Sequence, residues 1–510
     1  MNQRKIGTIL SYVQIIVSNT ISLIYTPYML RMMGQSEYGI YGTANSLISY
    51  LSILSMGIGG AYIRFNAQCR ANDDKEEESR LNGMFLTIFS GLSVLVIIGG
   101  GIFVALAGKL VKSTFSAEEL YKLRMVMILL TINMAITFVC NVVMMALQAY
   151  EQFVIIRCVL IAMGIITPIL NVIALRKGGR AITITFISLL LSIISYMIFL
   201  VYARKKIYMK FIFRGFRKDI VKELFVFSSF LFLNSITDQI TFSTDNIVLS
   251  AVKGTTVTAI YSIGEQFKGY FMNFSSSISN VFAPQINRIV AEGLEKKYLD
   301  EIFQRVGRIQ FYVVSLILIG YSIVGKSFIR IWAGEDYRDS FEIGLLLIVA
   351  VFVPAFQNIG IEIQKAMNMH KARSVVYFLI ALFNVALTIP ASVKWGGIGA
   401  AAATTISMFF GTVLFMNWYY WKKMGLDIPQ FWREIISIIP GFIPPILVVM
   451  GLKNIYTIRT LFDVLLFAIA ICVTFGCSVW LFSMNDYEKK LVREPIMRIM
   501  RRRERRKDGK

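Results

Sequence analysis

A chain of 510 residues has the length of roughly three or four soluble domains, yet 56% of its residues are hydrophobic and only 16% are charged, against about 25% charged in soluble domains. Apolar residues come in blocks of the length that crosses a hydrocarbon core of about 30 Å, which excludes a soluble multidomain enzyme. The formal net charge of +22 sits mostly in short loops beside those blocks, which argues against a nucleic-acid surface.

In chain order, spanning helices are predicted at 8–29, 38–62, 82–107, 121–147, 153–175, 181–203, 224–250, 256–284, 309–332, 341–364, 374–393, 396–421, 435–452 and 460–483. Arg4 and Lys5 ahead of the first resemble the start of a secretory signal. The run is too long for one, contains Gln14 and Asn19, and lacks a small-residue cleavage pattern, so it reads as a retained helix. An even number of spans puts both termini on one side, and most Lys and Arg lie in the loops of that side. By the positive-inside rule that side is the cytoplasm. Two basic stretches, Arg204 to Lys222 and the tail from Lys489 to Lys510, read as anchors for anionic membrane lipids. Neither has interleaved aromatic residues for stacking on RNA bases, so no nucleic-acid partner is expected.

Polar residues recur on one face of several spans. Helix one carries Ser11, Gln14, Ser18, Ser22 and Tyr25, and helix two carries Asn45, Ser49 and Ser52. Helix seven carries Asn234, Asp238, Thr241 and Asp245 at i, i+4, i+7 and i+11. Helix eight places Glu265 and Lys268 three apart, and helix ten adds Asn358, Glu362 and Lys365. A charge at the bilayer centre costs about 2.5–3.5 kcal/mol on insertion scales, so it faces a cavity or a partner. Helix-to-helix hydrogen bonding uses the same residue types, and Glu265 and Lys268 at i, i+3 are placed to neutralise each other. Pro27, Pro168, Pro354 and Pro390 fall inside spans and predict kinks. Four cysteines, Cys140, Cys158, Cys472 and Cys477, lie in spans, Cys69 lies in a loop, and His370 is the only histidine. No CxxC occurs, and neither a metal site nor a catalytic constellation is expected.

The chain also repeats itself. "SNTIS" at 18–22 pairs with "LNSIT" at 233–237, and Thr26 to Leu30 pairs with Thr244 to Leu249. Asn141 to Ala149 pairs with Asn358 to Ala366, and "GGRAITITFIS" from Gly178 pairs with "GGIGAAAATTIS" from Gly396. The offset is steady and spans six helices, so both copies enter the membrane in the same orientation, around a central cavity. The expectation is an all-α polytopic protein of about fourteen transmembrane helices. It divides into an N-lobe (1–203), a basic cytoplasmic linker (204–223), a C-lobe (224–421), an added helix pair (422–485) and a basic cytoplasmic tail (486–510).

The stretch "YTPYMLRMMGQSEYGIYGTANSLISYLSILSMGIGGAYIR", the helix-seven "TDNIVL" and the late "KWGGIGAAAATTIS" resemble polysaccharide-transport (Wzx-type) flippases of the MOP superfamily, which also holds lipid II flippases and MATE drug exporters. The resemblance covers about residues 5–421. It implies a MATE-like fold of two six-helix repeats plus a C-terminal pair. The implied activity is transfer of an undecaprenyl-pyrophosphate-linked oligosaccharide from inner to outer leaflet by alternating access. It further implies a monomer in the bacterial cytoplasmic membrane, with no cofactor beyond coupling to Na+ or H+. A cationic cavity for the pyrophosphate points to Arg31, Arg64 and Lys268 as substrate contacts, with Asn45 and Gln14 beside them. Asp245 occupies the family's acidic helix-seven position, and Asp238 and Glu265 join it as ion-coupling candidates. Competing readings are a lipid II flippase and a cation-coupled drug exporter of the MATE type, although helix one has no acidic residue of the kind such exporters often use. A membrane polymerase or ligase needs catalytic groups on a large outer loop. The longest one here, 108–120, offers Lys109, Lys112, Glu118 and Glu119 and no histidine.

Overall fold

A computed structural model describes residues 3–494 apart from 56–57, 112–113, 217–235, 238, 242, 294–295, 368 and 492. The described chain is helical. In order, the helices are α1 (Gln3–Met33), α2 (Gln35–Ser49), α3 (Ile58–Ala71), α4 (Lys75–Leu110), α5 (Ala117–Ala149), α6 (Phe153–Arg176) and α7 (Ala181–Lys206). They continue with α8 (243–253), α9 (Thr255–Ala291), α10 (Lys296–Trp332), α11 (Ser340–Phe356), α12 (Ile359–Ala366) and α13 (His370–Met408). The last are α14 (Met416–Tyr419), α15 (Ile428–Ile438), α16 (Ile443–Ile455) and α17 (Leu461–Phe482).

The outer face is far more apolar than that of a soluble protein. α4 exposes Val94, Leu95, Ile97, Ile98, Ile102 and Leu106, while Thr43, Asn66, Gln310, Asn384 and Thr388 are buried. Lipid tails are as apolar as leucine, so an apolar outer face costs nothing there and polar side chains gather between helices. Eleven helices among the described residues are long and apolar enough to cross a membrane. The fourteen predicted spans reconcile with these. The stretch Arg373–Met424 covers two predicted spans, broken where Gly396 leaves helical geometry at φ 60°, ψ −137°. α9 corresponds to the predicted span 256–284 but carries Glu265, Lys268 and many hydroxyl residues, and most of 224–250 lies outside the described residues.

The helices outrun the predicted spans. α4 starts at Lys75, where the Asp74 side chain accepts from the Glu77 backbone N–H, and α10 starts at Lys296. The predicted loop 285–308 is therefore largely helix. Apolar content marks only the hydrocarbon-spanning part, whereas Lys, Glu and Arg sustain the helix beyond it. The predicted span 341–364 is broken, with α11 ending at Phe356 two residues after Pro354, and α12 starting at Ile359.

The chain forms two compact units: residues 1–262 with 374–403, and residues 263–373 with 404–510. In the first unit, Ile40, Ala44, Leu47 and Ile48 of α2 share a core with Val126, Met127 and Val142 of α5. The start of the predicted basic linker is strapped to α4. The Ile212 N–H donates to the Ser79 carbonyl at 2.9 Å, and Asn82 Nδ2 donates to the Lys210 carbonyl at 3.0 Å. The rest of that linker, from 217, lies outside the described residues, as does the tail beyond 494. In the second unit, Phe303 packs on Phe431 with ring centroids 4.8 Å apart, and Phe311 on Phe356 at 5.0 Å, which joins α10 to α11 and α15.

Candidate functional site

Several polar residues of the first unit's stripes meet partners on other helices, and others bond within their own helix. Gln14 Oε1 on α1 accepts from Arg157 Nη1 on α6 at 2.9 Å. Arg157, one turn into α6, went unmarked in the sequence because it passes for a helix-end charge. Asn45 donates to its own helix, from Nδ2 to the Tyr41 carbonyl at 2.9 Å. Further along α2, Gln239 Nε2 donates to the Ser49 carbonyl at 2.8 Å, and the hydroxyls of Tyr50 and Thr244 lie 2.5 Å apart. Thr43 and Ser250 meet at 2.5 Å, and Ser250 reaches Thr258 at 3.0 Å. Arg31, in the last turn of α1, and Arg64, on α3, are both exposed. The Arg64 guanidinium lies 4.7 Å from the centre of the Phe65 ring.

Asp245 is the most deeply buried acid among the described residues of this unit, only 3% exposed. The Tyr261 hydroxyl donates to its Oδ2, and Thr388 Oγ1 donates to its Oδ1 at 3.3 Å. Thr388 also lies 3.2 Å from Asn384 Oδ1. α8, α9 and α13 thus each supply a side chain around one carboxylate. Burying a carboxylate costs several kcal/mol unless hydrogen bonds or a cation compensate, and here hydroxyl donors from two other helices contribute. Asp238 and Asn234, the other acid and amide of the predicted helix-seven stripe, lie outside the described residues.

In the second unit Lys268 Nζ donates to Glu265 Oε1 at 3.1 Å, one turn apart on α9, and Lys268 is buried. The predicted i, i+3 pair therefore forms. Lys365 and Glu362 form a similar pair at 2.8 Å. Asn358 Nδ2 donates to Ser276 Oγ at 3.3 Å. A second buried pair was not legible in the sequence. Arg308 Nε donates to Glu488 Oε1 at 2.6 Å and its Nη2 to Oε2 at 3.0 Å, and the Tyr312 hydroxyl adds a bond to Oε2 at 3.1 Å. The i, i+4 spacing of Arg308 and Tyr312 was the available signal, but their acid lies far along the chain. Among the described residues no three His, Cys, Asp or Glu side chains come together as a metal site would require. His370 opens α13, and its side chain lies outside the described part.

A family model for polysaccharide biosynthesis proteins matches residues 5–290. The chain belongs to this family. No curated protein matches it in sequence. Among solved structures, this family member is similar to the lipid II flippase MurJ in an inward closed conformation, at 15% identity and a TM-score of 0.73, with 96% of this chain and 100% of that chain covered. A multidrug resistance MATE family transporter of the MOP superfamily is similar in its inward-facing conformation at 14% identity and a TM-score of 0.59, covering 82% and 99%. A further such transporter, in the outward-facing conformation, is similar at 13% identity and a TM-score of 0.53, covering 85% and 97%. At these identities the likeness establishes the fold. The eleven long apolar helices among the described residues are those of a multi-pass membrane protein.

Proposed function

We propose that this protein carries an undecaprenyl-pyrophosphate-linked oligosaccharide from the inner to the outer leaflet of the bacterial cytoplasmic membrane, by alternating access, with both termini in the cytoplasm. The observation that carries this reading is the family match over residues 5–290, in a helical chain with an apolar outer face and with polar side chains buried among its helices. The glycan headgroup needs a hydrated, hydrogen-bonding path, and the polyprenyl tail stays in lipid. Lys268, Arg31 and Arg64 are the proposed contacts of the pyrophosphate, with Gln14 and Asn45 toward the sugars. Anionic lipids are the proposed partners of the basic linker and tail, and the transporter works as a monomer.

Asp245 is the proposed coupling carboxylate for Na+ or H+, with Glu265 and Asp238 as companions. Two of its donors are the hydroxyls of Tyr261 and Thr388, which can rotate to accept or donate as a cation or proton arrives. Binding that neutralises a buried carboxylate favours the conformation in which it is dehydrated. Transport would then be driven by an ion gradient and need no enzymatic step.

A lipid II flippase is the second reading, favoured because the lipid II flippase structure spans 96% of this chain, whereas the drug exporters span 82–85%. The deciding experiment reconstitutes the protein in liposomes with a fluorescent undecaprenyl-pyrophosphate oligosaccharide or fluorescent lipid II in the inner leaflet, and reads quenching from outside. Movement of the oligosaccharide lipid is the expected result. Movement of lipid II alone would replace the first reading with the second.

A further inference from the structure

A groove runs between α10 and α16, both of which belong to the second unit. Leu318 and Ile319 of α10 and Ile446 and Met450 of α16 give it apolar walls, and its volume is about 670 Å3. That lies within the range of roughly 300–1,000 Å3 in which small ligands are held. Ile323, also on the groove, is buried and joins Val449 of α16 and Phe467 and Ile471 of α17 in one apolar cluster. The two helices thus close on each other on the inner side, while Met450 and its neighbour Leu447 remain 53% and 65% exposed. Polar character enters at one end. Lys453, in the last turn of α16, donates from Nζ to the Ile323 carbonyl at 2.7 Å, and Asn454 follows it along the groove. An ammonium carries three N–H donors, and this carbonyl takes one. Among the residues lining the groove, Lys453 alone is charged. Lys326, one turn beyond Ser322 on α10, is paired with Glu342 at 2.9 Å.

We propose that this groove is a binding site for a phospholipid with an anionic headgroup, an acyl chain lying between α10 and α16 and the phosphate resting on Lys453. The site requires only that these helices span a bilayer, so it stands apart from the transport reading. A gap between helices that neither closes nor fills deprives its lining of dispersion contacts. On a lipid-facing surface the acyl chain is the filler at hand, and the apolar walls suit it. The charge then selects the headgroup. A cation at membrane depth faces a partner or a cavity, and a hydrogen bond between an ammonium and a phosphate is roughly twice as strong as one between neutral groups. The two remaining donors of Lys453 and the side-chain amide of Asn454 suit the phosphate oxygens. A zwitterionic lipid carries its own cation beside the phosphate, which competes with Lys453, so an anionic lipid is preferred. Seated there, the lipid joins α10 to α16 where their side chains do not meet, and it stays with the protein rather than crossing the membrane.

The test uses the full chain with its five cysteines, Cys69, Cys140, Cys158, Cys472 and Cys477, replaced by serine or alanine, purified in detergent. Met450→Cys in this parent places a thiol on the groove, and Leu465→Cys places a control thiol on α17, at a residue 55% exposed. Added dioleoyl phosphatidylglycerol should slow maleimide labelling of Met450→Cys at least fivefold and leave Leu465→Cys unchanged. Phosphatidylcholine and inorganic phosphate should each protect much less. Adding Lys453→Gln should abolish the difference between phosphatidylglycerol and phosphatidylcholine, and Ser322→Trp, which fills the groove, should abolish protection by either. Retention of phosphatidylglycerol by the parent in native mass spectrometry should fall at least fivefold in both variants, at unchanged melting temperature. Equal protection by the two phospholipids, or protection that survives Lys453→Gln, overturns the proposal and leaves Lys453 a helix-end charge. Protection by inorganic phosphate alone would make this a site for a free anion, and displacement of phosphatidylglycerol by equimolar undecaprenyl phosphate would assign the groove to the transported lipid; either overturns it. None of these measurements reads transport, so failure here leaves the flippase reading standing, and failure of that reading leaves this site untouched.

Discussion

At the scale of the residue, Asp245 and Lys268 pose different questions, because one accepts from neutral hydroxyls and the other is paired to an acid. Asp245→Asn keeps the shape and the acceptor oxygen but removes the charge. Under the coupling role it should lose ion-gradient dependence and at least tenfold of transport, while expression and thermal stability in detergent stay near the parent. A variant that retains gradient-driven transport would leave Asp245 as interhelical glue. For Lys268 the discriminating comparison is Lys268→Met alone against Lys268→Met with Glu265→Gln. Removing one partner of a buried pair leaves an uncompensated charge, whereas removing both is often neutral. Transport restored in the double variant would make the pair a structural neutralisation. Transport still lost at normal stability is expected if Lys268 holds the pyrophosphate. The stripes that contain these residues were legible because i, i+4 spacing is written in the sequence. Their partners were not. Whether Gln14 meets Arg157, or Ser49 meets Gln239, depends on which helices pack together across more than a hundred residues of chain.

At the scale of the element, helix ends carry much of the specificity. Arg308 sits where α10 runs past its predicted span, and Glu488, which follows α17, folds back to it with Glu434 of α15 nearby at 3.7 Å. Read from hydropathy alone, Arg308 was a loop charge, because its burial requires the segment after α17 to return. Arg308→Ala should therefore destabilise the second unit by about 3–5 kcal/mol, the usual cost of breaking a buried pair, read as a lowered melting temperature. Arg308→Met with Glu488→Leu should recover most of it. Recovery absent in the double variant would mean the pair is needed for more than charge balance. Glu119 makes a pH-dependent counterpart. Burial pushes its carboxyl upward, but bonds from Ser36, Ser116 and Thr255 outweigh this and hold it below its ordinary value of 4.5. A lowered carboxylate contributes stability that is complete above the ordinary value and is lost as pH falls through the folded one. The melting temperature of Glu119→Gln should thus lie below the parent's at pH 6 and converge with it as the pH drops below about 4. Parallel curves across that range would show that Glu119 contributes nothing at this end.

At the scale of the whole molecule, the all-helical, membrane-spanning character was readable because it is written in a pattern that lipid enforces, long apolar blocks. The breaks were less readable. Gly396 occupies φ 60°, a region that favours glycine, and it interrupts one long helical stretch that hydropathy alone divides only approximately. The proposed orientation makes a sharp prediction for sites the structure shows to be accessible. Ser116, at the start of α5, and Asn72, in the turn between α3 and α4, are both exposed. They lie at opposite ends of α4, a helix of 36 residues, and at about 1.5 Å per residue such a helix is longer than the hydrocarbon core is thick. They must therefore face opposite sides, whatever the orientation. In the cysteine-free parent, Ser116→Cys should react with an impermeant maleimide in intact cells, and Asn72→Cys only after permeabilisation. The reverse pattern would place the basic loops, the linker and both termini outside the cell. It would invert the direction of transport proposed for Lys268 and Asp245 while leaving the fold and the helix contacts intact. Equal labelling of both sites before permeabilisation would instead mean that α4 does not cross the membrane, which the apolar outer face from Val94 to Leu106 argues against.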